Sequence, residues 1–232
     1  MQAKNAADHV RKRYEGTLGE AYHQKHAVPP AAHEWISRSR AAKLAPYIKA
    51  KDVVLEYGVG PGWNLEALAC QKRFGYDVST FLASQLAAKG IQFVADTSSL
   101  PDGAIDTVVC HHVLEHTPDP ARVLAEINRL LRGAGILILI VPYETERKYR
   151  TYHPDEPNHH LYSWTVQTLG NLVRDMGFSI RKAELGRYGY DRFLAVLTAR
   201  LGLGAGGFDL LKRLALSVAP LREVRIIADK QP

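Results

Sequence analysis

The sequence predicts an α/β domain in which helices cover both faces of a mainly parallel β-sheet. The first observation is the short apolar run Val-Val-Leu at 53–55, which is rich in β-branched residues and typical of a strand covered on both faces. A glycine-rich turn follows it directly, and further short apolar runs then alternate with segments of helical pattern. Seven runs are predicted to be strands: 53–55, 74–79, 91–95, 104–109, 136–141, 178–185 and 223–230.

The composition is that of an ordinary globular protein with one sizeable domain. Of the 232 residues, 46% are hydrophobic and 23% are charged. The net charge of +6 favours anionic partners, but 30 basic against 24 acidic residues is too small an excess for a nucleic-acid-binding tail. Cys70 and Cys110 are the only cysteines, and no secretory signal or membrane-spanning apolar run is evident. We therefore expect a cytoplasmic protein without a nucleic-acid partner.

Residues 1–50 precede the first strand and are predicted to form a mostly helical cap on the main domain, residues 51–232. The pair Pro29-Pro30 interrupts this cap, and a helix is predicted over 33–45. Several ring-bearing side chains of the cap would suit a cover over a ligand crevice, although packing within the cap is the simpler interpretation. They are Tyr14, Tyr22, His23, His26 and Trp35.

The glycine turn after the first strand is predicted to border that crevice. Gly58, Gly60 and Gly62 alternate with other residues, and glycine permits positive φ angles and close approach of a ligand to the main chain. A helix is predicted from the turn to about Lys72, which places the turn where α/β proteins bind ligands. Trp63 stands where a dinucleotide fingerprint needs its third glycine, and no lysine follows as in a Walker loop. The alternative is a turn that only packs a helix against a strand.

An acidic residue ends the second predicted strand. Asp77 lies 19 residues beyond Gly58, and in nucleotide-binding α/β folds an acid at about this distance accepts hydrogen bonds from ribose hydroxyls. A carboxylate suits a vicinal diol because its two oxygens only accept hydrogen bonds. The alternative is that Asp77 caps the helical segment 80–89, a role that Ser79 could also fill. We expect ribose binding.

Three motifs resemble those of the class I S-adenosylmethionine-dependent methyltransferases. The first is E-x-G-x-G-x-G from Glu56 to Gly62, and the second is G-x-D-x-S around Asp77. The third and most specific is an ungapped block from Cys110 to Val141, which begins Cys-His-His-Val-Leu-Glu-His and continues through an amphipathic helix. The resemblance covers a little over half of the chain.

This resemblance implies a Rossmann-like, doubly wound, seven-stranded mixed sheet with one antiparallel strand, whose crevice binds S-adenosylmethionine. It assigns the cofactor to Glu56, Gly58, Gly60, Gly62, Asp77, Val78, Asp96, Thr97, His111 and His112. Asp96 would accept the adenine amino group, with local capping of 97–100 as the alternative. The resemblance also implies a structural role for His116.

Four histidines follow predicted strands and are candidates for a general base. They are His111, His112, His159 and His160, with Tyr143 and Glu144 after the fifth strand. Histidine is the side chain best matched to proton transfer near neutral pH, although orientation of the acceptor alone is the alternative. The chain has no H-E-x-x-H or C-x-x-C spacing, so we expect no metal ion.

Residues 187–222 form an insertion before the last predicted strand. Its two apolar and basic segments, 193–203 and 208–218, are separated by glycines and predict a helical hairpin. Packing on the domain is the simpler interpretation of this hairpin. A lid, a dimer surface or a contact with anionic lipids at a membrane surface are the alternatives.

The sequence therefore predicts a methyltransferase that uses S-adenosylmethionine and leaves S-adenosylhomocysteine. The expected acceptor is an O or N atom of a small-molecule or lipid-like compound, and the expected state is a monomer or homodimer. One alternative is a catalytically silent binding module or partner subunit of the same fold. Trp63 disfavours a nucleotide-dependent oxidoreductase, and the fourth strand lacks the [N/D]-P-P-[Y/F/W] motif of DNA amino-methyltransferases.

Overall fold

The computed structural model describes residues 12–25, 27–144, 150–154, 156 and 158–231, apart from the side chains of Tyr22 and Lys25. Its strands are β1 Val53–Tyr57, β2 Lys72–Tyr76, β3 Gln92–Val94, β4 Ile105–His111, β5 Leu131–Pro142, β6 Phe178–Tyr188 and β7 Leu221–Lys230. Its α-helices are α1 Gly16–Lys25, α2 Pro30–Leu44, α3 Ala83–Ala88, α4 Pro120–Leu130, α5 Val166–Asp175, α6 Asp191–Arg200 and α7 Gly204–Val218.

The strands form one seven-stranded sheet in the order β3-β2-β1-β4-β5-β7-β6. Strand β7 runs antiparallel to both of its neighbours, and the other pairs are parallel, which confirms the predicted mixed sheet with one antiparallel strand. The order reverses between β1 and β4, and α/β folds bind ligands beyond the carboxyl ends of strands at such a switch point. The glycine turn and His111 both lie at this place.

Each face of the sheet is covered by its own apolar cluster. Alternate residues along a strand point to opposite faces, so Leu55 packs with α4 and α5, while Val54 packs with α2 and α3. Helix α4 buries Leu124, Ile127 and Leu130 against the first face, as its amphipathic pattern predicts. Both layers are needed because β1, β4 and β5 carry near-continuous apolar runs.

The helix predicted between the glycine turn and Lys72 is absent, and this prediction is wrong. Residues 61–67 instead form consecutive turns, and β2 begins at Lys72 itself. Side chains in this segment bond to other elements: Trp63 Nε1 donates to His33 Nδ1 at 3.2 Å, and Asn64 Nδ2 donates to Glu56 Oε1. These tertiary contacts override the helical apolar pattern of the segment.

The insertion forms the predicted helical hairpin, α6 and α7, and it packs against α2. The shared apolar contact includes Ile36, Leu194 and Phe208, all of them buried. Asp191 at the start of α6 pairs with Arg40 of α2 at 3.4 Å. The two parts of the chain that lie outside the family motifs therefore support each other over one edge of the crevice.

Among the described residues, no helix combines the length and apolar composition that crossing a bilayer requires.

Candidate active site

A cleft of about 1710 Å³ opens beyond the carboxyl ends of β1, β2 and β4. The glycine turn, Asp77 and the pair His111-His112 form part of its wall. Tyr14 and His23 from the N-terminal segment also line the cleft, as expected for residues of a cap over it. Trp35 instead packs against Phe208. Tyr22 has no described side chain, and His26 lies outside the described residues.

The three glycines of the turn have positive φ angles, of 79°, 49° and 81°, but they serve different purposes. A Cβ on Gly58 would collide with Val113, and one on Gly62 would lie 2.8 Å from Ile91 Cδ1. At Gly60 the nearest atom would be 3.8 Å away, so the main chain there borders open space. Gly58 and Gly60 line the cleft, whereas Gly62 lies behind the turn and is required by packing. The geometry therefore does not support the predicted contact of Gly62 with the cofactor.

Asp77 is hydrogen-bonded to the glycine turn. Its Oδ2 accepts from the Gly60 N–H at 2.8 Å, and its Oδ1 accepts from the Ser79 N–H at 2.9 Å. The carboxylate therefore holds the glycine turn, and it does not cap the following helical segment, whose N-cap is Ser79. Each carboxylate oxygen can accept a second hydrogen bond, so both remain competent to bind a diol. Val78 lines the cleft beside it.

Glu56 lies fully buried on the floor of the cleft. Asn64 donates to its Oε1, while Oε2 has no partner among the described residues. Burial raises the pKa of this carboxyl to about 8, which the hydrogen bond from Asn64 opposes. A buried carboxylate oxygen without a partner suits a cationic group of a ligand, because the ligand would supply the missing donor.

Asp96 and Thr97 line the cleft at the end of β3. Asp96 accepts from the N–H of Ser98 at 2.9 Å and from its hydroxyl at 2.7 Å. Asp96 is therefore the N-cap of the short 3-10 turn Thr97–Ser99, which agrees with the alternative prediction that it caps residues 97–100. The side chain of Asp96 remains exposed to the cleft, so capping and contact with a ligand are compatible.

His111 and His112 meet two residues that the sequence analysis missed, Lys43 and Glu223. Lys43 Nζ lies 3.0 Å from His111 Nε2 and donates to Glu223 Oε1 at 3.0 Å. His112 Nε2 lies 3.6 Å from Glu223 Oε2, just beyond hydrogen-bonding distance, so the carboxylate attracts this ring strongly only when the imidazole is protonated. The two imidazole rings stack with centroids 4.3 Å apart. No local motif marks Lys43 or Glu223, which lie 180 positions apart in the chain.

Burial and neighbouring charges determine the protonation states of His111, His112 and Glu223. Burial lowers the pKa of His111 well below 6.5 and also lowers that of His112, which Glu223 partly offsets. Burial alone would raise the pKa of Glu223, but His112, Lys43 and Arg225 together lower it to about 2. At neutral pH the group therefore holds an ionised carboxylate beside two neutral imidazoles.

His159 and His160 do not line the cleft in the described structure. His160 Nδ1 lies 2.6 Å from Glu144 Oε1, and its ring meets His116 edge to face at 4.7 Å. The N–H of His159 donates to Glu156 Oε2 at 2.6 Å. Of the four histidines predicted as bases, the structure thus brings only His111 and His112 together at the crevice.

The arrangement fits an adenosyl ligand with a cationic end. It offers an open stretch of main chain at Gly60, a carboxylate held beside it at Asp77, and an unpartnered buried carboxylate oxygen at Glu56. These features define a nucleoside-binding α/β protein whose site extends past the nucleoside to a polar, histidine-lined end.

The comparisons with known proteins specify the class. The sequence model of the family described as Methyltransferase domain matches residues 29–183. The chain is 30% identical over 153 residues to the Probable S-adenosylmethionine-dependent methyltransferase of Mycobacterium tuberculosis, which covers 62% of this chain and 55% of that protein. It is 31% identical over 129 residues to the Ubiquinone biosynthesis O-methyltransferase of Xanthomonas axonopodis pv. citri, covering 49% and 50%. The chain thus spans about half the length of these curated relatives.

Solved structures show the same fold. The 1,6-didemethyltoxoflavin-N1-methyltransferase of Burkholderia thailandensis, solved with that compound and S-adenosylhomocysteine, superposes with a TM-score of 0.54 at 20% identity, over 87% of this chain and 79% of that one. A SAM-dependent methyltransferase of Thermotoga maritima gives a TM-score of 0.60 at 16% identity, over 86% and 91%. The chain belongs to the class I S-adenosylmethionine-dependent methyltransferase family.

Proposed function

We propose that this chain transfers the methyl group of S-adenosylmethionine to an O or N atom of a small-molecule or lipid-like acceptor. The observation that carries the proposal is the hydrogen bond from the Gly60 N–H to Asp77 Oδ2 at 2.8 Å. It joins the bare main chain and the carboxylate of the next strand on one wall of a large cleft. A nucleoside that lies across the turn would meet both.

Each part of the cofactor has candidate partners in the cleft. Asp77 would accept from the ribose hydroxyls, while Asp96 and Thr97 would meet the base. Glu56 would accept from the amino group of the methionine end, because its Oε2 has no donor among the described residues. Arg40 also lines the cleft and would balance the carboxylate of the same end. When bound, the cofactor supplies an electrophilic methyl group on its sulfonium.

His112 is the best placed of the four predicted bases. It lies on the cleft wall, and its imidazole is neutral at physiological pH because burial lowers its pKa. A neutral imidazole accepts the proton that an acceptor hydroxyl or amine must lose. The imidazolium formed would be stabilised by the ionised Glu223, 3.6 Å from His112 Nε2.

His111 and Lys43 would have a supporting role. Lys43 Nζ contacts His111 Nε2 at 3.0 Å, so this nitrogen accepts from the ammonium group and is not available as a base. Lys43 and Glu223 form an ion pair beneath the two rings, and Glu223 is fully buried. The pair therefore holds both imidazoles against the cleft wall.

The acceptor end is shaped by parts of the chain outside the family motifs. Tyr14 and His23 reach the cleft from the N-terminal segment, and Arg192 reaches it from α6 of the insertion. One relative is named as an O-methyltransferase, and one solved structure of the same fold is an N1-methyltransferase, which supports an O or N atom as the acceptor. A lipid-like acceptor is favoured by the apolar residues that the neighbouring hairpin exposes, such as Phe193.

Calorimetry with S-adenosylmethionine, followed by an acceptor panel read out as S-adenosylhomocysteine formed, tests this proposal. We expect binding of one cofactor per chain and turnover of at least one phenol, amine or lipid-like acceptor. A folded chain that does not bind the cofactor would refute the proposal. Tight binding without turnover of any acceptor would favour the catalytically silent module.

A further inference from the structure

A second group of ligating side chains lies beside the cleft and takes no part in the function proposed above. Glu115 and His116 belong to the 3-10 turn after β4, and His160 comes from the loop before α5. One ligand atom from each of the three residues lies within 4.8 Å of the others. We propose that Glu115, His116 and His160 bind a divalent transition-metal ion such as Zn²⁺, Mn²⁺ or Co²⁺.

Glu115 provides the strongest reason to place a cation here. Its side chain is 1% exposed, and neither carboxylate oxygen has a hydrogen-bond partner among the described residues. No described lysine or arginine forms an ion pair with it either; the basic side chain nearest to it is the buried, uncharged imidazole of His116, with Nε2 3.9 Å from Oε1. A buried carboxyl group with neither a donor nor a cation must either hold a proton or bind a cation, and a bound metal ion would satisfy its oxygens.

The two histidines are oriented as metal ligands usually are. His116 Nδ1 lies 3.0 Å from the hydroxyl of Tyr14, and His160 Nδ1 lies 2.6 Å from Glu144 Oε1. In metalloproteins the ring nitrogen that does not bind the ion is commonly held by a carboxylate or another polar group. A metal ion would therefore bind Nε2 of each ring, and at His116 it would replace the hydrogen bond that this ring makes with the main chain of His159. Two imidazoles and one carboxylate form a donor set that suits Zn²⁺ and neighbouring transition metals.

The other histidine group near the cleft is less suited to a metal ion. His111, His112 and Glu223 are also close enough together to hold an ion. However, the ammonium of Lys43 lies 3.0 Å from both His111 Nε2 and Glu223 Oε1, where it already supplies the positive charge. We therefore expect one metal site. Sequence spacing could not reveal it, because His160 lies 44 residues beyond His116.

A bound ion would connect two segments beside the acceptor end of the cleft. It would join the turn at Glu115 to the loop at His160, and His116 lines the cleft itself. Three protein ligands leave further coordination positions, which water or an oxygen of an acceptor would fill. The site is defined by its own ligands and is tested by ion binding alone, so it does not depend on methyl transfer.

The test titrates ZnCl₂, MnCl₂ and CoCl₂ into the full chain after dialysis against a chelator, with calorimetry for stoichiometry and the visible absorption of Co²⁺ for the ligand set. We expect one ion per chain. Glu115→Gln and His160→Gln should each weaken binding by a factor of about 100 or more, and Glu144→Gln by about 10 to 100 through the orientation of His160. His153→Gln, an exposed histidine of the same loop, and His112→Asn, from the other group, should bind as the parent does.

Absence of ion binding by the parent chain would overturn the proposal. So would undiminished binding by His160→Gln, or a loss caused only by His112→Asn, which would assign the ion to the other group. Circular dichroism on each variant separates loss of the site from loss of the fold. If Glu115→Gln does not fold, His160→Gln and Glu144→Gln still decide the question.

Discussion

At the scale of single residues, the site depends on side chains whose partners are unusual for buried groups. Asp77 accepts two main-chain N–H groups and keeps acceptor capacity toward the cleft. Glu56 is buried with one oxygen unpartnered among the described residues, and His112 is neutral beside an ionised Glu223. Groups such as Glu56, His112 and Glu223, whose pKa values are shifted by burial and neighbouring charge, concentrate at functional sites, because burial and charge there serve ligands and chemistry rather than stability.

Replacing Asp77 by Asn should weaken binding of S-adenosylhomocysteine by about 10- to 100-fold, because hydrogen bonds to a charged acceptor contribute roughly 1.5–3 kcal/mol. Calorimetry measures the change. Asp175→Asn, at an exposed position at the end of α5, is the matched control and should bind as the parent does. Equal binding by Asp77→Asn would remove Asp77 from the cofactor site.

Replacing His112 by Asn should lower kcat by about 100-fold or more, with little change in cofactor affinity, as expected for loss of a general base. The base must be neutral to work, and burial lowers the pKa of His112 below 6.5. For the parent enzyme, kcat/KM should therefore be level above neutral pH and should fall only below pH 6.5. The variant should lose this fall at acidic pH. A variant with the parent's rate and pH profile would show that orientation of the acceptor suffices.

At the scale of elements, strands and turns near the site follow from local sequence, but the segment after the turn does not. The apolar runs at β1, β4 and β5 are continuous because both faces are covered, and this signal is readable from sequence alone. Residues 61–67 have a helical apolar pattern, yet Trp63 bonds to His33, 30 positions earlier, Asn64 bonds to Glu56 of β1, and the helix does not form. Long-range side-chain contacts of this kind leave no local pattern.

Two substitutions in the glycine turn distinguish the proposed ligand contact of Gly60 from the packing role of Gly62. Gly60→Ala should lower the free energy of unfolding by about 1–2 kcal/mol, because alanine disfavours the left-handed backbone conformation at this position. It should also reduce cofactor binding strongly, because the added Cβ enters the open space over the turn. Gly62→Ala should lose more stability, by roughly a further 1–3 kcal/mol, because its Cβ would lie 2.8 Å from Ile91 and Leu86. Urea denaturation and calorimetry measure the two effects.

The control for this pair is Gly206→Ala. Gly206 lies inside α7 with nothing within 4 Å of an added Cβ, so alanine there should stabilise the chain by about 0.5–1 kcal/mol and leave binding unchanged. Unchanged cofactor affinity in a folded Gly60→Ala variant would show that no ligand approaches the turn at this residue.

The hairpin of α6 and α7 presents an apolar stripe to the surface. Leu210, Leu214 and Val218 follow at intervals of four residues along α7 and are all exposed, Val218 by 84%. Arg200 and Arg213 on the same hairpin are also exposed. We predict binding to vesicles that contain an anionic phospholipid, with weaker binding at high salt and in the double variant Leu210→Gln/Leu214→Gln. Sedimentation with vesicles measures this, and a parent chain that stays in the supernatant would contradict it.

At the scale of the whole molecule, the proposed acceptor end is bordered by the N-terminal segment and by the hairpin of α6 and α7, which carry none of the three sequence motifs. Helix α2 and the hairpin bury Ile36, Leu194 and Phe208 together, and Arg38 pairs with Asp209 across them at 3.1 Å. The wall proposed for the cofactor, by contrast, is formed by the carboxyl ends of β1, β2 and β4 and by the turn after β1. This division explains why one half of the site could be predicted and the other could not.

The cofactor half was predictable because its residues end adjacent strands of one sheet. Asp77 follows β2 and Gly58 follows β1, and parallel strands bring their carboxyl ends together. The contact of Lys43 with Glu223 joins α2 to the last strand across 180 positions, and Glu115 meets His160 across two elements. These contacts depend on how helices and loops pack, which neither periodicity nor motif spacing encodes.

A crystal structure of this chain with S-adenosylhomocysteine would show directly where the cofactor binds. We expect the adenosine to lie across the main chain at Gly58 and Gly60, with both ribose hydroxyls within hydrogen-bonding distance of the Asp77 carboxylate. A ligand bound elsewhere, or one in the cleft with its ribose away from Asp77, would rule out this binding mode.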